Sequence, residues 1–381
     1  MSVYLDHNAS APLRPEARAA ITAALDACGN PSSVHRDGRA ARARLETARG
    51  AIARAMTARA EDVIFTSGGT EANNLAIAAA KAAGAQRIIH AAFEHDAVIA
   101  PAAASDLPVE IWPVRSTGVA DLDWLEDRLA RGGDERLLIV LMAANNETGV
   151  IQPVAEAGRM AREAGHYFHV DAVQIAGKAP FDFAGSLAHF AALSAHKCGG
   201  PMGVGALIAA CDAGVNAQIR GGGQESFRRA GTQNLPGIAG FAAALDAALA
   251  DRDEPARIAA IRDAMEARLL EAGANVTVWG ADAPRLPGTS CLSAPGWLSE
   301  IQVIALDLAG FAVSAGAACS SGKVRRSKVL DAMGAGAEHA QCALRVSYGW
   351  SSTMDEAEAF ASAWIAAHAK ASSAPALRAA I

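Results

Sequence analysis

Apolar and polar positions along this chain follow two distinct rhythms. Helical periodicity predicts helices at about Pro15–Cys28, Arg39–Met56, Thr70–Ala83 and Pro153–Ala164. Between them lie short, largely apolar runs: Val63–Thr66, Arg87–His90, Val109–Trp112, Leu137–Leu141, Tyr167–Asp171 and Phe190–Leu193. Such runs suit strands covered on both faces, and their alternation with helices predicts an α/β fold with a mostly parallel sheet. From about Leu235 two long alanine-rich helical patterns appear, and after Ala274 a shorter mixture of strand and helix. That shift divides the chain into a large domain over 1–252 and a smaller α+β domain over 253–381. The N-terminal segment can pack with either.

Composition narrows the class. Hydrophobic residues make up 51% and charged residues 19% of the 381 positions, enough for a sizeable core and too apolar for a disordered chain. The net charge of −6 comes without any dense Lys/Arg block, so no nucleic-acid partner is expected. The alanine-rich stretches are cut repeatedly by charges, so no membrane span is expected. The opening Met1-Ser2-Val3-Tyr4-Leu5-Asp6 has no export signal, and a cytoplasmic location is the expectation. Six cysteines (Cys28, Cys198, Cys211, Cys291, Cys319, Cys342) form no CxxC pair, which argues for free thiols and against a structural zinc site; no metal is expected.

Three segments suggest chemistry. Thr66-Ser67-Gly68-Gly69-Thr70-Glu71 joins a strand to a helix, and free N–H groups at a helix start favour a phosphate. An ordinary capped turn reads equally well there. Asp171 closes an apolar strand, where a carboxylate can pair with a protonated ring nitrogen or simply cap the next helix. Lys197, 26 residues further on in Ser194-Ala195-His196-Lys197, ends another apolar strand before a glycine-rich return. Alone it reads as a solvated lysine; with Asp171 and the phosphate-type turn it suits a Schiff base to pyridoxal phosphate.

These segments, taken in order, resemble the NifS/IscS-type cysteine desulfurases of the class V aminotransferase-like, fold type I pyridoxal enzymes. The resemblance runs through Tyr4–Ala9, Gly29–Ser33, Ser67–Asn74, Glu94-His95, Asn145–Gly149, His169–Gln174, Ser194–Lys197, Gly221–Glu225, Ser314–Cys319 and Leu344–Ser347. It implies a seven-stranded, mostly parallel sheet in the large domain and a homodimer. It also implies that Lys197 carries the cofactor and moves the substrate Cα proton. Asp171 then binds the pyridinium nitrogen, Gln174 the ring oxygen, and His95 stacks on the ring and assists proton transfer as a catalytic residue. Gly69, Thr70, Ser194 and His196 form the phosphate site, joined by Thr232 of the partner subunit. Asn146 and Arg345 hold the substrate carboxylate, with Asn8 lining the same pocket. Arginine suits a carboxylate because its planar fork binds it bidentately; alone, Arg345 reads as a surface ion pair.

Cys319 points to the reaction. It lies in the small-residue stretch Gly316-Ala317-Ala318-Cys319-Ser320-Ser321-Gly322, expected to be an exposed loop, and Lys323, Arg325 and Arg326 favour its thiolate. Cys291 and Cys342, in apolar surroundings, read as buried. The expected activity is conversion of L-cysteine to L-alanine, with sulfur leaving as a Cys319 persulfide for an acceptor protein such as an iron–sulfur scaffold. The alternatives are a selenocysteine lyase, an aminotransferase and a non-catalytic binding scaffold. Several positions depart from the family pattern: Gly69, Cys198, Gly199, Ser226 and Trp350, with a C-terminus, Ala371–Ile381, that lacks the recognisable scaffold-docking tail.

Overall fold

The structure, a computed structural model, describes residues 2–316 and 326–373. After a short N-terminal strand β1 (Val3–Tyr4), a seven-stranded sheet is built from β2 (Val63–Thr66), β3 (Arg87–Ala91), β4 (Val109–Trp112), β5 (Leu137–Met142), β6 (Tyr167–Asp171), β7 (Phe190–Ser194) and β8 (Gly205–Ala209). Its order is β2-β8-β7-β6-β5-β3-β4. Strands β4, β3, β5, β6 and β7 pair parallel, while β8 pairs antiparallel with both β7 and β2. The parallel sheet expected from the apolar runs is therefore present. The antiparallel β8 has no counterpart in the sequence expectation, which saw only a glycine-rich return there.

Strands β5 to β8 are buried along their whole length, as a sheet layered by helices on both faces requires. One apolar cluster on one side joins Phe65, Phe168 and Phe241; a second on the other side joins Ile64, Leu75 and Phe190. The expected helices are present with shifted ends. The second runs Arg36–Ala55, starting earlier than expected because His35 Nδ1 accepts from Gly38 N at 3.2 Å and caps it.

A second sheet holds β9 (Thr277–Trp279), β10 (Thr289–Ser293), β12 (Ser314–Ala315) and β13 (Ala343–Ser347), in the order β12-β13-β10-β9, all antiparallel. Between them in sequence, β11 (Phe311–Ala312) pairs parallel with β1. Leu5 is buried in a third apolar cluster with Ile258, Leu344 and Trp364. The N-terminal segment thus packs on the C-terminal elements, and Asp6 bridges to Ser347. Residues 6–14 run from that sheet to the end of β7, where Ala11 N donates to His196 O. This crossing brings the beginning, middle and end of the chain to one cleft.

Among the described residues, no helix is long and apolar enough to cross a membrane. The five described cysteines are free thiols; Cys291 and Cys342 are buried as expected, and so is Cys198.

Candidate active site

At the carboxyl ends of β2, β5, β6 and β7 lies a cavity of about 230 Å³. Its lining includes Gly69, Thr70, His95, Asn146, Asp171, Gln174, Ser194, His196 and Lys197. In an open α/β sheet this edge is where ligands bind. Nine of the residues singled out from sequence therefore meet in one place.

The helix Gly69–Ala82 starts at the cavity wall directly after β2. A side chain at Gly69 would have its Cβ 2.6 Å from Val173 Cγ2, so any larger residue there would require the Val173 side chain to shift. Thr70 sits exposed in the first turn. The unpaired N–H groups of that turn, with the positive end of the helix dipole, make an anion site. His196 faces the same cavity, and burial, reinforced by repulsion from Lys197 and Lys178, pushes its pKa down to about 4. It is a neutral ring at physiological pH, with one N–H to donate.

Asp171 is buried at the end of β6. Its Oδ1 accepts from Val173 N at 3.0 Å and its Oδ2 from Asn73 Nδ2 at 2.8 Å. Because Asn73 gives its N–H to Asp171, its Oδ1 faces His169 Nε2, 2.7 Å away, and His169 must carry its proton on Nε2. Burial holds His169 down to about 4, so the ring is neutral. Beside this chain, Glu94 accepts from Met142 N at 2.6 Å through Oε1. Burial and then the charge of Asp171 push the Glu94 carboxyl well above the usual carboxylate range. His95 follows it, with Nδ1 accepting from Ala97 N at 3.0 Å to cap the next helix.

Lys197 is half-buried, and its Nζ donates to the carbonyls of Asn8 at 2.8 Å and Ala9 at 3.1 Å. Burial and then the positive charge of Arg345 lower its pKa to about 8, against the opposing pull of Asp171 and Asp6. Lys178 stands behind it. Its Nζ donates to Asn8 Oδ1 and to Gln174 Oε1, both at 2.8 Å.

Asn8 and Arg345 lie beside the cavity rather than in its lining. Asn8 is buried and donates from Nδ2 to Thr289 Oγ1 at 2.8 Å and to Asn146 O at 3.3 Å. Arg345 is buried on β13; its Nη1 donates to Asn146 O at 3.1 Å and its Nη2 to Asp6 Oδ1 at 2.8 Å. Its Nε is buried without a partner among the described residues. Arg345 does form an ion pair, but a buried one rather than the surface pair it suggests when taken alone, because the N-terminal crossing covers it.

Thr232 is exposed and does not line the cavity of this chain. Cys319, with Lys323 and Arg325, lies outside the described residues. The strand that precedes it does not: Ser314 on β12 is the register partner of Arg345 on β13. Trp350, which departs from the family pattern, carries the Arg14 guanidinium 5.6 Å above its ring and donates from Nε1 to Pro12 O at 2.9 Å. It buttresses the N-terminal crossing. Sequence reading gave no role to Asp6, Asn73 and Glu94, which lie inside the family motifs, or to Lys178, which lies four residues beyond one.

The sequence profile of the aminotransferase class-V family matches residues 3–360. The cysteine desulfurase IscS of Dictyoglomus turgidum is 37% identical, over 93% of this chain and 91% of that protein. A cysteine desulfurase of Cereibacter sphaeroides is 40% identical over 87% and 86%. Among solved structures, a NifS-like protein from Rickettsia africae superimposes with a TM-score of 0.89 at 32% identity, covering 97% of this chain and 100% of that one. The chain belongs to the class-V aminotransferase family, within its NifS/IscS-type cysteine desulfurases. The cofactor of this enzyme class is pyridoxal 5'-phosphate.

The residues present fit that cofactor. The cavity offers a lysine amine of lowered pKa for the aldehyde and a buried carboxylate for the ring nitrogen. At its wall are a helix start and a neutral histidine for the phosphate.

Proposed function

We propose that this cleft holds pyridoxal phosphate on Lys197 and removes sulfur from L-cysteine, leaving L-alanine and a persulfide on Cys319. The observation that carries the reading is the convergence of Lys197, Asp171 and the first turn of the helix Gly69–Ala82 on one cavity. Bound there, the cofactor supplies an electron sink for charge developing at the substrate Cα.

Each protein group then has a task. Lys197, with a pKa near 8, has a substantial neutral fraction at physiological pH; it forms the covalent link and, once displaced by substrate, takes the Cα proton. Asp171 faces the ring nitrogen, while burial and then the nearby Asp171 push the Glu94 carboxyl well above the usual carboxylate range. Gln174 serves the ring oxygen, His95 the ring face, and Gly69, Thr70, Ser194 and His196 the phosphate. Arg345 and Asn146 hold the substrate carboxylate, and Asn8, whose Nδ2 donates to Thr289 Oγ1 and Asn146 O, braces that wall of the pocket. Cys319 attacks the substrate sulfur as a thiolate: an S–S bond forms, the S–Cβ bond breaks, and its electron pair moves toward Cα. Protonation at Cβ and return of the proton to Cα by Lys197 give alanine, and an acceptor thiol later takes the terminal sulfur.

The same proposal includes a cytoplasmic homodimer in which Thr232 of each subunit completes the other's phosphate site; its exposure supports this. It also includes an acceptor protein, such as an iron–sulfur scaffold, and the division of the chain into domains 1–252 and 253–381. The separate apolar cluster around Ile258, Leu344 and Trp364 favours that division.

Incubation of the purified holoprotein with L-cysteine tests the reading. Equal amounts of alanine and protein-bound or released sulfur are expected, with the persulfide on Cys319. Cys319→Ala should retain the cofactor and lose the persulfide. Sulfur release by that variant at the wild-type rate would remove Cys319 from the mechanism, and keto-acid formation would favour transamination. Turnover of selenocysteine independent of Cys319 would favour the lyase.

A further inference from the structure

Lys178 lies outside the lining of the cofactor cleft and opens instead onto a smaller cavity behind it, shared with His7, Arg14 and Trp350. From there its amine claims two side-chain oxygens, Asn8 Oδ1 and Gln174 Oε1, each at 2.8 Å. Gln174 Nε2 donates to Asn8 O at 3.0 Å, and Asn8 Nδ2 donates to Thr289 Oγ1 and Asn146 O. An amide group can exchange its oxygen and nitrogen ends at little cost unless its partners forbid it. A lysine ammonium only donates, so it forbids the exchange in both amides at once.

We infer that Lys178 is a positioning residue: it locks the Asn8–Gln174 amide pair so that Gln174 presents an N–H, not its oxygen, to the cofactor's ring oxygen. The inference rests on the proposed placing of that oxygen at Gln174. The remaining N–H of Gln174 Nε2 is available, because its other hydrogen is spent on Asn8 O. Without the lysine, Gln174 is oriented only by its single bond to Asn8 O, and a turn that brings Oε1 into the cleft, where it would repel an anionic oxygen, loses one of its two opponents. Asn8 O also receives Lys197, so the same lock fixes the carbonyl on which the reactive amine rests.

The charged and titratable groups facing Lys178 are Lys197, Arg345, Cys198 and Asp6, with His7 and His196 also feeling its charge. Burial and then repulsion from Lys197 and Arg345 bring its pKa down to about 7. A neutral amine keeps two N–H groups, one for each oxygen, but gains a lone pair that can accept, so the lock is strictest while Lys178 is protonated.

The test is the pH midpoint of the visible absorption change of the bound cofactor, read on intact holoprotein without turnover. Lys178→Met and Gln174→Ala should each move that midpoint upward by about one unit, because an anionic ring oxygen loses its donor in both. Lys178→Arg, which keeps donors, should recover at least half of the shift. The double variant should shift no further than Gln174→Ala alone. Should Lys178→Met not yield folded holoprotein, Lys178→Gln serves the same comparison. Additive shifts would mean that Lys178 acts through its charge alone, and an unchanged midpoint in Lys178→Met beside a shifted Gln174→Ala would mean it does not act; either overturns the inference. An unchanged midpoint in Gln174→Ala would overturn the placing of the ring oxygen itself, and the inference with it.

Discussion

Arg345 and Asp6 form a buried pair, Nη2 to Oδ1 at 2.8 Å, across 339 residues of sequence. The other oxygen of Asp6 accepts from Ser314 Oγ at 2.7 Å, so one carboxylate ties the guanidinium to the strand that leads toward Cys319. A lysine at 345 could replace the charge but not the fork that reaches Asp6 and Asn146 O together. Arg345→Lys is expected to raise KM for L-cysteine roughly 10- to 100-fold, the usual range for losing one charge-assisted contact, with cofactor content unchanged. Steady-state kinetics beside cofactor absorbance would check this; an unchanged KM would take Arg345 out of carboxylate binding.

The His169–Asn73–Asp171 chain has a directional logic that one substitution can probe. Asn73→Leu leaves Asp171 Oδ2 and His169 Nε2 buried without their partner. Unmet buried polar groups cost about 1–3 kcal/mol each, more where a charge is involved. A loss of roughly 2–4 kcal/mol in urea unfolding of the cofactor-free protein is expected. A variant as stable as the wild type would show that water replaces the asparagine without loss.

Much of this architecture was legible in the sequence. Strands β5, β6 and β7 could be read because strands buried on both faces have almost no polar positions, and that pattern survives without knowledge of neighbours. Strand β8 was not, because Gly205-Ala206-Leu207-Ile208-Ala209 contains no strand-specific residue type except Ile208. Its opening glycine has a structural reason: a Cβ at Gly205 would lie 2.5 Å from Leu193 O and 2.6 Å from the Gly68 backbone. The site was legible where a residue closes a strand, as Asp171 and Lys197 do. Asp6 acts through Arg345 and Ser314, far away in sequence, and Lys178 reaches distant Asn8 as well as nearby Gln174, so local sequence does not show what either does. Only the N-terminal crossing makes them part of the site.

Glu225 anchors a strained turn. Glu225, Ser226 and Phe227 all have positive φ, at 47°, 55° and 64°, which side-chain-bearing residues rarely adopt in succession. The buried Glu225 carboxylate holds the turn by taking Arg49 bidentately at 2.6 and 3.0 Å, Phe65 N at 3.0 Å and Gln233 Nε2 at 2.9 Å. Glu225→Gln keeps the shape but leaves the buried Arg49 guanidinium undercompensated. It is expected to cost about 3 kcal/mol, at the lower end for breaking a buried pair because Glu46 and Val63 O still hold Arg49. The proposed dimer adds a second readout: Thr232 follows in the same segment, so the variant should retain phosphate-bearing cofactor less tightly. A wild-type unfolding midpoint would show that the turn does not depend on this anchor.

Glu147 should give the protein a pH-dependent stability near neutrality. Its buried Oε2 accepts from Ser327 Oγ at 2.6 Å and would lie 3.2 Å from a Cβ placed on Gly316; Gly316 and Ser327 flank the segment that contains Cys319. Burial raises its pKa from the ordinary 4.5 to about 7, against the lowering influence of Ser327, Arg345 and Lys328. Because the folded pKa lies above the unfolded one, the folded state binds the extra proton. The resulting stabilisation is complete below about pH 4.5 and is lost as pH rises through about 7. Glu147→Gln cannot ionise and still offers an oxygen to Ser327, so it should gain on the wild type by a few kcal/mol between pH 5 and about 8. Urea midpoints of both proteins across that range measure the difference directly. Parallel curves would mean that Glu147 is already ionised in the fold at pH 5, and that Ser327 and Arg345 outweigh its burial.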